Sequence, residues 1–316
     1  MEQLVTFLTG LPALPIFEEK INPFLSSHNL ISSQSVLDNL HTVLYIAVFY
    51  HIVYLIGAWA VFPIPSKWKV NYDETHAKDE EARLHIQRHK HKKVKHLSIQ
   101  ASIHFISFLQ TVVVLYLSFV FFLDRKVSGS ESYPDSDARI FGECRETQLV
   151  CMFGCGYFIW DAYISACHST FPFFVHGVVS TAAYYIGLKP YLQYYAPVFL
   201  MFELSNPCLN IRWFGLKFFP QESKVCNLIL LLNNLLLMTI FFFGRILWGW
   251  YQTFMLCYDF YNVRNDPRFM LWDTVIVVTC NLTIDLLNVI WFSSMVSIAV
   301  KVLTGTKTVQ NEKKTQ

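Results

Sequence analysis

The sequence predicts an all-α membrane protein, a polytopic bundle of about seven transmembrane helices. Of its 316 residues, 53% are hydrophobic and 16% aromatic, but only 15% are charged. Soluble proteins carry about a quarter charged residues. Several apolar runs also exceed the roughly 18 residues that mark a candidate membrane-spanning helix. The first 30 residues include Glu2, Glu18 and Glu19 and have no basic start, so they do not resemble a cleavable signal peptide.

Seven apolar segments are the predicted helices. They span residues 42–63, 98–123, 148–167, 171–188, 191–213, 226–251 and 271–304. The fourth and fifth are shorter and are interrupted by Pro190, Pro197 and Pro207, which a membrane helix tolerates only where neighbours satisfy the freed backbone groups. The last is longer than a bilayer requires, so it should tilt or extend into the cytosol. Because no internal repeat is visible, we expect one helical bundle.

The distribution of basic residues predicts the orientation of the bundle. Loop 64–97 is rich in lysine and arginine, with Lys67, Lys69, Lys78, Arg83, Arg88, Lys90, Lys92, Lys93 and Lys95. Positively charged loops favour the cytosol, so this loop should be cytosolic and the N-terminus luminal. Seven crossings then put the C-terminus in the cytosol. We therefore divide the chain into a luminal segment 1–40, a first helix with its basic loop 41–97, a core domain 98–304 and a cytosolic tail 305–316.

The tail carries a candidate sorting signal. Lys313 and Lys314 stand four and three residues from the end of the sequence. Lysines at this spacing on a cytosolic tail are read by cytosolic coat proteins, which return membrane proteins to the endoplasmic reticulum. The alternative is an ordinary solvated tail. The agreement with the orientation derived from the loops favours the endoplasmic reticulum membrane as the location.

Histidines and cysteines indicate neither a metal site nor a redox cofactor. His85 and His89 have the helical spacing of a metal pair, but no nearby carboxylate or thiolate completes a ligand set. We expect this basic stretch to lie on anionic headgroups. Cys151 and Cys155 should pack in the core, and a Cys144–Cys257 disulfide is a possibility in two loops predicted to lie on one side.

The polar residues inside the apolar segments predict a shared interior chamber. An ionised side chain at the bilayer centre costs about 2.5–3.5 kcal/mol on insertion scales, so such groups usually face the bundle interior. At about 100° per residue the polar positions fall on one face of each helix. The residues expected to line a lipid-binding cavity are Asp161, His168, His176, Ser180, Glu203, Asn206, Asn210, Arg245 and Asp285.

Two structural alternatives stand beside this interpretation. The amides and hydroxyls would serve equally as hydrogen bonds between helices. Asp161 would close the bundle by pairing with Arg245, and His104 and His168 would be core residues with satisfied hydrogen bonds.

Four motifs in the central part of the chain carry a family resemblance. They are Gly156-Tyr157-Phe158-Ile159-Trp160-Asp161, Val175-His176-Gly177, Phe202-Glu203-Leu204-Ser205-Asn206-Pro207 and Leu209-Asn210-Ile211-Arg212-Trp213-Phe214. Together with the pattern of spans over 98–304, they resemble the TLC domain, a family that includes the ceramide synthases. The sequence is most similar to the uncharacterised TLC-domain proteins of fungi and animals. The resemblance implies a TLC-type helical bundle and a role in lipid metabolism, lipid sensing or protein traffic.

The chain departs from the ceramide synthases at two places. Those enzymes carry two adjacent histidines and two aspartates three residues apart, whereas here Gly177 follows His176, and Glu203 and Asn206 occupy the aspartate positions. N-acylation from a thioester requires a base or nucleophile, typically an imidazole oriented by a carboxylate. If the protein is an acyltransferase, His176 is the catalytic residue and Glu203 its orienting carboxylate.

Three functions remain open, and the first is favoured. It is a non-catalytic role in lipid homeostasis or membrane lipid composition, with a polar intramembrane cavity that binds a membrane lipid or acyl chain. The second is N-acyltransfer of the ceramide-synthase type. The third is a trafficking protein associated with cargo or the translocon. We expect no cofactor, no metal and no nucleic-acid partner; the sequence specifies neither the lipid, nor the oligomeric state, nor the role of the first 40 residues.

Overall fold

The protein is a bundle of helices. The computed structural model describes residues 1–123, 132–220 and 222–304, and all regular structure within these ranges is helical. The α-helices are α1 (Glu2–Thr9), α2 (Asn22–Ser27), α3 (Gln34–Ile56), α4 (Pro63–Thr75), α5 (Glu80–Arg88), α6 (Lys90–Leu123), α7 (Ser136–Phe141), α8 (Arg145–His168), α9 (Phe171–Gly187), α10 (Tyr195–Phe199), α11 (Asn206–Phe218), α12 (Lys224–Phe241), α13 (Trp248–Val263) and α14 (Leu271–Leu303). The all-α prediction is confirmed.

Short irregular helical segments interrupt this series. Three are π-helical, Phe17–Ile21, Gly57–Val61 and Phe242–Leu247, and Leu200–Ser205 is a 3₁₀-helix. The last two matter most here, because each lies inside a predicted transmembrane helix and each contributes to the site described below.

Helix starts follow from local sequence. The carboxylates of Asp79 and Asp135 accept hydrogen bonds from the amides three residues on and so cap α5 and α7. The hydroxyl of Ser223 caps α12 in the same way. Pro63 and Pro207 stand in the first turns of α4 and α11, where a missing N–H is no loss.

In the described part of the chain, five helical stretches are long and apolar enough to cross a membrane by length and composition. They are Gln34–Val61, Lys90–Leu123, Arg145–His168, Lys224–Val263 and Leu271–Lys301. Large apolar side chains on the outside of these stretches are exposed, among them Leu232, Phe254 and Trp272. Exposed apolar surface of this extent is expected where lipid replaces water. The polytopic membrane bundle is confirmed.

The fifth predicted helix differs from the prediction. Instead of one helix over 191–213, the chain forms a turn, the short helix α10, the 3₁₀-helix and then α11. Leu192 in this turn has a positive φ of 66°. Pro197 and Pro207 lack the N–H that a continuous helix would use. The helix is therefore broken into shorter pieces in this region. The sixth helix extends beyond the predicted 226–251, since Lys224–Val263 is helical throughout with a π-helical segment in its middle.

Helix α9 has 17 residues and runs from one end of the bundle to the other. Before its start, the carbonyl of His168 accepts a hydrogen bond from Gln100 at 3.3 Å. After its end, the carbonyl of Leu188 accepts one from Ser35, which lies in the first turn of α3. The two ends of α9 therefore lie at opposite ends of α3 and α8.

Segment 195–218 returns to the opposite end. Leu192, just before it, donates its N–H to the carbonyl of Ile140 at 2.7 Å, and Glu222, just after it, accepts from the Tyr72 hydroxyl at 3.2 Å. Within the described residues, the chain thus passes along the bundle seven times. The number of these passes that cross a membrane stays a prediction, because only five meet the length and hydropathy expected of a span.

A buried ion pair holds the α7 end of the bundle together. Arg139 donates two hydrogen bonds of 2.6 Å to the carboxylate of Asp259, which is fully buried and also accepts from Ser136 and Tyr195. The hydrogen bonds to this carboxylate raise the pKa of Arg139 above its ordinary value. The short helix α7 is therefore fixed to α13.

The cysteines are unpaired thiols. Cys151 and Cys155 are buried in the core, as predicted, whereas Cys257 is exposed and no disulfide joins it to Cys144.

Helices α8 and α9 approach each other closely at Gly177. A Cβ atom on Gly177 would lie 2.8 Å from both the Cα and the amide nitrogen of Ala162 on α8. These are backbone atoms, so a side chain at this position can be accommodated only if the helices separate. The close approach also brings together the residues just before these two, Asp161 on α8 and His176 on α9.

We predict that Gly177→Ala lowers the stability of the protein by about 1–3 kcal/mol, the usual cost of overpacking a core. Thermal unfolding of the purified protein in detergent measures the effect. Gly244→Ala is the matched control, since a Cβ there would meet only the carbonyl oxygen of Met201 at 3.9 Å. Equal melting temperatures for Gly177→Ala and the wild type would contradict the tight packing.

Candidate functional site

The bundle encloses a cavity of about 430 Å³ between α6, α8, α9, α11, α12 and α14. Its polar wall contains six of the residues predicted to line a lipid site, and these are Asp161, His176, Glu203, Asn206, Asn210 and Arg245. Its apolar wall includes Leu209, Leu216, Met295 and Ile298. Pockets of roughly 300–1,000 Å³ with a few convergent polar groups are typical of small-molecule sites. The polar residues therefore do converge from separate helices.

A chain of hydrogen bonds links a buried acid to a buried base through one amide. Asn206 donates its Nδ2 to Glu203 Oε2, while its Oδ1 accepts from Arg245 Nη2 at 2.5 Å. Glu203 also accepts from the Thr111 hydroxyl at 3.1 Å. The side chains of Glu203 and Arg245 are each only 5% exposed. We call Glu203, Asn206 and Arg245 the amide-bridged pair, because the amide joins two opposite charges that do not touch.

The two irregular helical segments position this pair. Glu203 and Ser205 lie in the 3₁₀-helix, and Arg245 lies in the π-helical segment Phe242–Leu247. A π-helical turn inserts a residue and rotates the following side chains relative to an α-helix. The guanidinium donates further bonds to Ser205 Oγ at 2.8 Å and Asn288 Oδ1 at 3.3 Å, and it covers the ring of Phe241 at 5.0 Å. Within residues 1–123, 132–220 and 222–304, its hydrogen-bond partners are all neutral oxygens.

His176 has a carboxylate neighbour on α8. Its Nδ1 lies 3.6 Å from Asp161 Oδ2, and both side chains are 18% exposed. The rings of Phe158 and Trp291 lie 5.6 and 5.8 Å from the imidazole. The structure thus pairs His176 with Asp161 and not with Glu203, the partner expected from the sequence. For the same reason Asp161 does not form the ion pair with Arg245 that was the structural alternative.

His104 belongs to the cavity wall, although the sequence suggested a core role for it. Its Nδ1 lies 2.9 Å from Asn210 Oδ1, and its ring stacks on Trp213 at 4.2 Å. Asn210 in turn donates to the Ser107 hydroxyl at 3.3 Å. The signal was present, because His104 and Ser107 lie on the polar face of the second predicted helix. Tyr157, Arg212 and Trp291 also line the cavity and were missed as site residues.

A second, smaller cavity of about 60 Å³ adjoins the first. His176 and Glu203 line both, and Ser180 lines the smaller one. Its other walls are mostly apolar, with Phe158, Tyr184, Leu256 and Ile284. His176 and Glu203 therefore lie between the two cavities and contribute to the lining of both.

Two predicted residues lie away from both cavities. His168 is at the end of α8, with its Nε2 3.5 Å from the Tyr54 hydroxyl. Asp285 is buried between α13 and α14 and accepts a 2.8 Å hydrogen bond from Thr253. Asp285 is buried as its helix face predicted, but it faces α13 and not the chamber. His168 is exposed at the end of α8, so it is neither a cavity residue nor a core residue.

The packing at Gly177 bears on the missing second histidine. The resemblance to the ceramide synthases implies a histidine beside His176, at the position of Gly177. The Cβ of any side chain there would lie 2.8 Å from the backbone of Ala162. A second imidazole at this point would require α8 and α9 to move apart, so the packing disfavours a histidine pair here.

Comparison with known proteins gives consistent matches. Residues 100–297 match the TLC domain. The chain is 55% identical over 299 residues to an uncharacterised TLC domain-containing protein of Saccharomyces cerevisiae, covering 94% of this chain and 95% of the relative. It is 28% identical over 290 residues to topoisomerase I damage affected protein 4 of the same yeast, covering 90% of each.

A more distant animal relative covers less of the chain. The sequence is 31% identical over 140 residues to human TLC domain-containing protein 4, which is 42% of this chain and 49% of the relative. No solved structure matches the chain.

We predict that Asn206→Ala lowers the free energy of unfolding by about 2–5 kcal/mol. The loss follows because two buried charged groups each lose a hydrogen bond, and unsatisfied groups of this kind cost about 1–3 kcal/mol or more each. Denaturation monitored by tryptophan fluorescence measures it. Asn265→Ala, at an exposed turn position, should change stability by less than about 0.5 kcal/mol. Similar values for both variants would mean that the amide does not bridge the charges.

Proposed function

Because the chain belongs to the TLC-domain family, we propose that it acts in membrane lipid homeostasis by holding a lipid headgroup in the main cavity. The family is linked to lipid metabolism and homeostasis. The observation that carries the proposal is the amide-bridged pair, since the buried Glu203 and Arg245 form one wall of a chamber in a membrane protein. Ionisable groups at such depth usually mark a ligand or ion pathway.

The shape of the cavity supports a ligand with a polar head and apolar tails. The cavity is lined by charged residues and also by Leu216 and Ile298, which are each 47% exposed on the outside of the bundle. Acyl chains in the bilayer would contact the side chains of Leu216 and Ile298, while the headgroup would enter between α11 and α14. A membrane lipid satisfies both parts of the site.

A second function, N-acyltransfer, is favoured by one contact. Asp161 beside His176 is the arrangement in which a carboxylate orients an imidazole that acts as a base. His176 would take a proton from the amine of a lipid while the amine nitrogen attacks the thioester carbonyl. The C–N bond forms, the C–S bond breaks, and the thiolate leaves with the proton. Asp161, and not Glu203, would be the orienting group.

We predict that the purified protein retains a lipid through delipidating washes and that Glu203→Gln, which keeps the size but removes the charge, retains less. Extraction followed by lipid mass spectrometry measures the amount per protein. Glu222→Gln, an exposed residue next to α12, is the control.

Absence of any specific lipid from the wild type would sink the binding function. If the wild type transfers a labelled acyl chain from a thioester to an amine-bearing lipid and His176→Ala does not, the protein is instead an acyltransferase.

We further propose that the protein resides in the endoplasmic reticulum membrane with its N-terminus luminal. The support is the basic loop 64–97 and the lysines Lys313 and Lys314, which lie outside the described residues. Cytosolic coat proteins would be the partners of this tail.

We predict that Lys313→Ala with Lys314→Ala moves the tagged protein out of the endoplasmic reticulum, because the coat proteins no longer bind the tail. Fluorescence microscopy against compartment markers measures the shift. Appending residues after Gln316 keeps both charges but changes their distance from the terminus, and should have the same effect. Lys307→Ala is the control for loss of charge. Unchanged localisation of the double variant would argue against retrieval.

A further inference from the structure

Two arginines line the main cavity, and neither has an acidic partner among the described residues. Arg212 of α11 and Arg245 of the π-helical segment both contribute to its wall. Among the described residues, the ion pairs involve other cations, and neither of these guanidinium groups takes part in one. Unpaired arginines are rare inside membrane proteins, because the charge is costly unless something compensates it.

Their hydrogen bonds are made to neutral oxygens. Arg212 donates to Asn234 Oδ1 at 3.1 Å, and the partners of Arg245 are Ser205, Asn206 and Asn288. A guanidinium has five N–H donors, so both groups keep donors beyond those used in the described part of the chain. Arg212 is only partly buried, which leaves it accessible from the cavity.

The acids of the cavity are engaged elsewhere. Asp161 lies beside His176, and Glu203 accepts hydrogen bonds from Thr111 and Asn206. The cavity therefore contains both signs of charge, and among the described residues neither carboxylate forms an ion pair with Arg212 or Arg245. An anion from outside the protein would complete the arginine side.

We propose that the headgroup bound in this cavity carries a phosphate and that Arg212 and Arg245 bind it. This rests on the proposed function. Arginine presents a planar fork that matches phosphate oxygens, and hydrogen bonds between charged groups are about twice as strong as neutral ones. Trp213, next to Arg212, stacks on His104 and stiffens the wall from which Arg212 projects.

The test uses the full-length protein in detergent and three probes. They are short-chain phosphatidic acid, a diacylglycerol with the same acyl chains, and inorganic phosphate. Titration calorimetry gives each Kd for the wild type, Arg212→Gln, Arg212→Lys and Arg83→Gln. Arg83 lies on the exposed surface of α5, so its variant reports attraction between anionic lipid and the basic loop.

The expected result is that phosphatidic acid binds at least about tenfold more tightly than diacylglycerol, and that Arg212→Gln removes this preference while Arg83→Gln keeps it. A tenfold effect is the lower end expected for a hydrogen bond to a charged group. Arg212→Lys should bind more tightly than Arg212→Gln but less tightly than the wild type, because lysine restores the positive charge without the planar guanidinium. Arg245→Gln should behave like Arg212→Gln if it folds. If it does not fold, the result for Arg212→Gln alone decides whether the phosphate site exists.

Each of the other outcomes would overturn either the phosphate site or the proposed lipid binding. Equal affinity for phosphatidic acid and diacylglycerol, unchanged in Arg212→Gln, refutes the phosphate site but leaves lipid binding. Equal losses in Arg212→Gln and Arg83→Gln would assign the preference to surface charge and refute the site. Inorganic phosphate binding as tightly as phosphatidic acid would make the ligand a free phosphate and not a headgroup. No binding of either lipid refutes the proposed function itself.

Discussion

The site depends on opposite charges that are buried together but kept apart. Glu203 and Arg245 do not touch, and Asn206 stands between them with its amide donating to one and accepting from the other. A direct ion pair would neutralise both groups and close the chamber. The amide lets each charge be stabilised by a strong hydrogen bond while leaving part of both groups facing the cavity. The asparagine that replaces an expected aspartate therefore has a physical role, since a carboxylate could not donate to Glu203.

Broken helices make this arrangement possible. The acid lies in a 3₁₀-helix and the base in a π-helical segment, so neither comes from a regular α-helix. Irregular backbone at membrane depth is tolerated only where protein or a cavity satisfies its polar groups. Here the Ser205 hydroxyl donates to the carbonyl of Phe202 within the 3₁₀-helix, and the Trp248 indole donates to the carbonyl of Val198 just before it. Side chains of the bundle thus satisfy part of the backbone that the irregular helix leaves free.

Much of the fold could be predicted from the sequence, since the length of the apolar runs is a strong signal for membrane helices. The apolar runs and polar faces placed Asp161, His176, Glu203 and Asn206 in one interior, where the structure brings them together. Pairings were harder. The periodicity of an α-helix does not hold through a π-helical turn or a 3₁₀-helix, so the partners of Arg245 and Glu203 could not be derived from it. Asp285 shows the same limit, because a residue can face inward and still meet another helix instead of the chamber.

The glycine after His176 has an evolutionary consequence. With α8 and α9 in contact at Ala162, a pair of adjacent imidazoles at positions 176 and 177 could arise only together with changes that separate the two helices. The spacing between two neighbouring helices thereby limits which single substitutions this position tolerates.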